Sequence, residues 1–243
     1  MDPICDCLKH THELSNLELT YFSNRGGNNS SLAAFRGHLA CLEHCTAHGY
    51  PKIEDTSVSA AHNGQLACLE HCTLNGYAKH EWTSVHAALY GHLACLEHCT
   101  LNGYAKYEWT SAEAVRNGHL ICLEHCTFNG YPKHVWTSAY AARNGHLACL
   151  EHCTANGYPK RVLTSSTSGY AAENGCWDCV LHCINHDYPV SDDMQRRADE
   201  YVQEQRIQAH VIVDTLYPII HDAVYDVLAL VGILERVWPD VFH

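Results

Sequence analysis

Short apolar stretches alternate with polar punctuation along most of this chain, and the punctuation is built on glycine. Alanine-rich runs such as Ala139-Tyr140-Ala141-Ala142-Arg143 stop at Asn144-Gly145, while leucine- and cysteine-rich runs stop at Asn75-Gly76, Asn102-Gly103, Asn129-Gly130 and Asn156-Gly157. Glycine takes the left-handed backbone that ends a helix, so each run reads as one helix and each Asn-Gly as its stop. The alanine-rich helix has seven or eight residues and starts at a Thr-Ser pair, as at Thr83-Ser84, Thr110-Ser111 and Thr137-Ser138. Their hydroxyls suit the orphan amides of a first turn. Thr110 with Glu113 reads as a capping box. The second helix, of about eleven residues, starts at the His-Leu after the glycine.

This pattern recurs. Gly37, Gly64, Gly91, Gly118 and Gly145 are spaced 27 residues apart, and Gly175 follows after 30. Two helices this short cannot bury their apolar sides alone, so they must stack on neighbouring copies. The expected fold is an all-α solenoid of about six helix-turn-helix repeats with a C-terminal helical cap. The expected organisation is a tail and linker over 1–29, a repeat solenoid over 30–188, and a C-terminal helical segment over 189–243. In that last segment Val224, Val227, Leu228, Val231, Leu234 and Val237 form an apolar stripe wider than an end cap needs, which makes the C-terminal helices a candidate docking site for a second protein.

Charge narrows the function. Of 243 residues, 15 are Lys or Arg and 27 are Asp or Glu, a formal net charge of -12, the wrong sign for binding nucleic acid or anionic membranes. The apolar stretch from Val211 to Leu234 is broken by Asp214, Pro218, His221, Asp222 and Asp226, so no bilayer span is expected. The first residues lack the basic and apolar regions of a signal peptide, which points to the cytoplasm. Protonation of 21 histidines near neutrality cancels the negative excess, so self-association is expected to rise as the pH falls toward 6.

The stretch from Thr83 through Val85-His86-Ala87-Ala88 to Gly91-His92-Leu93 and Asn102-Gly103 resembles the ankyrin repeat, which carries Thr-Pro-Leu-His, Ala-Ala, Gly-His-Leu and Gly in that order. The likeness covers about residues 30 to 188 and lacks the proline after threonine. The unit is also shorter than the usual ~33 residues, so the projecting finger is expected to be truncated. It looks most like the short ankyrin-like arrays abundant in large DNA viruses of protists. The resemblance implies protein–protein recognition with no chemistry and no cofactor of its own, in a host cytoplasm or a virion. It leaves open an adaptor for a ubiquitin ligase, or a structural assembly component holding a metal.

Fifteen cysteines need an account, and ten lie in pairs four apart, from Cys41/Cys45 to Cys149/Cys153. On a helix such a pair is about 5–6 Å apart at Cβ, too far for a disulfide, so the pairs read as thiols filling the core. Cys41, His44, Cys45 and His48 on one helix cannot surround an ion, and neither can Cys179, His182, Cys183 and His186. His48 and His186 instead suit helix ends. Cys5, Cys7, His10 and His12 are the one segment able to fold around a metal. Every unit carries the same Cys/His grouping, so none is singled out as a nucleophile, and an enzyme is not expected. The candidate binding residues are Trp82, Trp109 and Trp136, which recur ahead of the Thr-Ser pairs as staples or as an aromatic strip. Lys79, Glu81, Lys106, Glu108, Lys133 and Lys160 vary the loops beside them.

Overall fold

Helices come in pairs. The computed structural model of the chain describes residues 29–160, 174–209 and 211, which belong to two compact units divided after Ser191. In the first unit α1 (Asn29–Arg36) is followed by α2 (Leu39–Ala47), α3 (Asp55–His62) by α4 (Leu66–Leu74), and α5 (Trp82–Leu89) by α6 (Leu93–Leu101). Then come α7 (Trp109–Arg116) with α8 (Leu120–Phe128), α9 (Thr137–Arg143) with α10 (Leu147–Ala155), and α11 (Trp177–Asn185). The second helices are nine residues long, and with a cap residue at each end they span the eleven expected. First helices stack on first helices and second on second, giving a two-layer all-α solenoid. Among the described residues there is no strand, and the loops at 50–53, 77–80, 104–107 and 131–134 link the pairs without a hairpin.

Residues 1–28, the first helix of the sixth unit and the apolar stripe from Val224 to Val237 lie outside the described residues, as do Cys5, Cys7, His10 and His12. The second unit contributes α12 over 192–209, where Arg196 pairs with Asp193 at 2.7 Å and Glu200 at 2.8 Å.

Small side chains let the first helices sit between neighbours on both sides. Six consecutive residues of α3, Thr56 to Ala61, are all buried, and α5 repeats this from Thr83 to Ala88. Larger side chains fill the space between the layers: Leu42, Leu69, Leu96, Leu123 and Leu150 are all fully buried. The cysteine pairs sit beside these leucines, as expected of small soft core residues, and Cys45 and both members of the other four pairs are free thiols. Cys41 departs from the expectation, being disulfide-bonded.

Each turn inside a pair is closed twice. At the end of α5 the His92 amide donates to the Ala87 carbonyl at 2.8 Å and the Gly91 amide to Ala88 at 3.2 Å, with Gly91 at φ 76°.

The Thr-Ser pairs do not cap. Helices α5 and α7 begin one residue earlier, at the tryptophan, and the cap positions Glu81 and Glu108 make no side-chain bond. The serine reaches across instead: Ser84 Oγ donates to the Ala105 carbonyl at 3.1 Å and Ser111 Oγ to Pro132 at 3.1 Å, clamping the following loop. Thr110 Oγ1 is buried with no hydrogen-bond partner, and Glu113 pairs with Arg116 at 3.2 Å, so the capping box is absent. Loop histidines do the capping in two units, where His80 Nδ1 accepts from the Trp82 amide at 3.2 Å and His134 Nδ1 from Trp136 at 3.3 Å.

One polar junction joins the second helices of successive units. Thr100 Oγ1 donates to the Leu96 carbonyl at 2.9 Å and lies 2.8 Å from His125 Nε2 and 2.9 Å from the Tyr131 hydroxyl. A hydroxyl has one proton, so both neighbours must donate to it. That places the imidazole proton of His125 on Nε2 and leaves Nδ1 to accept from Asn129 Nδ2 at 3.2 Å. Thr46, Thr73, Thr127 and Thr154 repeat the junction with His71, His98, His152 and His182.

Candidate protein-binding surface

The tryptophans stand at the loop edge of the first helices, all half-buried. Trp82 meets Tyr107 of the next loop edge-on with centroids 5.4 Å apart, and Trp109 lies against His134 at 4.0 Å. Trp136 stacks on Tyr140 of its own helix at 6.4 Å. Each ring therefore packs on a neighbouring ring, in two cases one of the following unit, and keeps part of its surface exposed. Glu81 and Glu108 are exposed beside them.

The lysines are more committed than the sequence suggests. Lys79 Nζ donates to the Asn102 carbonyl at 2.6 Å and sits 5.8 Å from the centre of the Tyr104 ring. Lys106 does the same with Asn129 at 2.5 Å and Tyr131 at 5.8 Å, and Lys133 with Asn156 at 2.6 Å and Tyr158 at 5.6 Å. Lys160 reaches the His186 carbonyl at 2.6 Å. Each cation answers the negative end of the next unit's second helix, so these residues link units as well as facing solvent.

Among the described residues the pKa shifts of cysteine and histidine all follow burial. Burial pushes the Cys95 thiol up to about 12, helped by Glu70, and Cys68 up to about 11, helped by Glu43, the opposite of what a thiolate nucleophile or metal ligand needs. Burial holds His71, His98, His125, His152 and His182 below the usual imidazole range. His48 Nδ1 donates to the His44 carbonyl at 2.9 Å, the end-of-helix role expected of it. Among the described residues no three His, Cys, Asp or Glu side chains converge on a possible ion position. No described helix is long and apolar enough to cross a membrane.

Sequence reasoning missed a second surface. Leu74, Leu101 and Phe128, the last residues of α4, α6 and α8, are 85%, 85% and 92% exposed. The available signal was their angle on the helix: Leu101 lies five residues, about 140°, from buried Leu96.

Neither protein-family models nor curated proteins match the chain. Among solved structures it is similar to the crystal structure of the human ASB11 ankyrin repeat domain, with 20% identity and a TM-score of 0.57, covering 68% of this chain and 85% of that one.

Proposed function

We propose, from the premise that this chain has the ankyrin-repeat fold, that it is a non-enzymatic scaffold binding another protein through its loop and first-helix face. The carrying observation is the column of half-buried tryptophans, each packed on a neighbouring ring and partly exposed. Aromatic rings fixed in this way bind at low entropic cost, the property that makes them frequent hot spots. Glu81 and Glu108, next to Trp82 and Trp109 in the chain, and the loop residues Lys79, Lys106 and Lys133 supply unit-specific charge. The free buried thiols suit a reducing compartment and the Cys41 disulfide an oxidising one; on the greater number of free thiols the cytoplasm is the proposed place of action.

Affinity capture from cell lysate in reducing buffer tests this, comparing the wild type with Trp82→Ala/Trp109→Ala/Trp136→Ala. Circular dichroism confirms that the variant is folded. A stoichiometric partner retained by the wild type and lost by the folded variant is the expected result. Equal capture by both proteins sinks the tryptophan column as the contact face, and no specific capture sinks the scaffold reading.

A further inference from the structure

The outer face of the second helices carries rows of residues that the fold does not use. Glu43, Glu70, Glu97, Glu124 and Glu151 are all exposed, one in each of the first five units, and none of them forms an ion pair. One turn further along, on the same face, stand Leu74, Leu101 and Phe128, and Ile121 adds a 62% exposed side chain on α8. Exposed Ala47 and Ala155 take the equivalent positions in α2 and α10, so the large apolar side chains are confined to three central units. Nothing in the unit's architecture calls for them, because alanine at this position supports the same helix and the same junction.

The nearest cations do not answer the carboxylates. Lys52, Lys79 and Lys106 are turned onto the carbonyls of Asn75, Asn102 and Asn129 and over tyrosine rings, beyond the apolar row. The glutamate row is thus an uncompensated negative edge, and a like-charged second copy, at a net charge of -12, is a poor cover for it. Spacing gives the shape of the complement. Successive second helices pack about 10 Å apart, and seven residues of α-helix rise about 10.5 Å. A helix laid across α4, α6 and α8 meets one glutamate and one apolar residue per heptad, and its ~10 Å width spans the ~6 Å between the two rows.

We infer that this face is a docking surface for a basic amphipathic helix of a partner protein, one whose Lys or Arg and Leu-type residues each recur every seven positions. It is separate from the tryptophan edge, so the two readings stand or fall independently.

The probe is a synthetic helical peptide of about 21 residues, three heptads of Leu and Lys on one face, measured by fluorescence anisotropy against the full chain. The expected result is binding that weakens as salt rises from about 0.05 to 0.3 M. Leu74→Ser/Leu101→Ser/Phe128→Ser is expected to lower affinity about ten-fold. Glu70→Gln/Glu97→Gln/Glu124→Gln is expected to lower it by about as much and to flatten the salt dependence. Glu54→Gln/Glu81→Gln/Glu108→Gln, which removes the same charge from the other edge, is expected to change it less than about two-fold. Absence of binding overturns the proposal, as does equal loss in the two glutamine variants, which reduces the effect to net charge. Sedimentation of the protein alone provides a further check: a dimer dissolved by the serine variant gives the face to a second copy and also overturns it.

Discussion

Two threonines of the same repeat have opposite fates. Thr100 Oγ1 receives protons from His125 and from Tyr131, whose ring is 3% exposed, while Thr83 Oγ1 is buried with no partner. Thr100→Val strands both donors and is expected to cost about 1–3 kcal/mol. Thr83→Val removes an orphaned hydroxyl at nearly constant shape and is expected to leave stability equal or higher. Urea unfolding of the two variants checks the contrast; an equal loss in both refutes the assigned junction. Sequence alone made Thr83 a cap and was silent on Thr100, because the partners that decide the matter lie 25 and 31 residues further along. The bonds of the lysines were hidden for the same reason: a loop cation looks free until the carbonyl of the next unit is placed beside it.

The helical turn, by contrast, was fully legible. Asn-Gly and Gly-His mark helix ends through local backbone preference, and the glycines take the left-handed conformation as expected. The two glycine positions of a unit nonetheless differ. A Cβ on Gly64, at φ 69°, meets His92 Nδ1 of the following unit at 2.6 Å, whereas one on Gly76, at φ 71°, meets open space. Gly76→Ala carries only the left-handed cost of about 1 kcal/mol, and Gly64→Ala adds displacement of a ring that bonds the His62 carbonyl at 3.1 Å. Gly64→Ala is therefore expected to shift the urea midpoint at least twice as far, and equal shifts contradict the packing of His92. The bounds of the first helices were legible only to within a residue. Propensity placed the start at threonine, and the contacts of Trp82 and Ser84 with neighbouring loops moved it.

Protonation acts on every junction between units. Burial holds His71, His92, His98, His125, His152 and His182 below the ordinary imidazole range; nearby Glu43, Glu70, Glu97, Glu124 and Glu151 pull most of them back up, and Lys52, Lys79, Lys106 and Lys160 push down. The unfolded chain takes up these protons at the ordinary value near 6.5 and the folded one resists, so stability is full above that pH and falls as the pH drops through it. A second proton on His71, His98, His125 and His152 also turns Nδ1 from an acceptor into a donor facing the Nδ2 group of Asn75, Asn102, Asn129 and Asn156. The urea midpoint is expected to fall between pH 7.5 and 5.5, and a flat profile contradicts the assigned tautomers. The repeat itself, and with it most of the fold, was legible because 27-residue self-similarity survives without knowledge of any contact. The outer face was not, since an exposed leucine and a buried one are spelled alike. Each junction reaches one unit and no further, and the last spans three extra residues, with Thr154 meeting His182 28 positions on rather than 25. Excising one whole period from the middle therefore leaves ends that fit each other as the originals did. In-phase recombination can lengthen or shorten such an array while every surviving seam is preserved, so reach can be selected without refolding the rest.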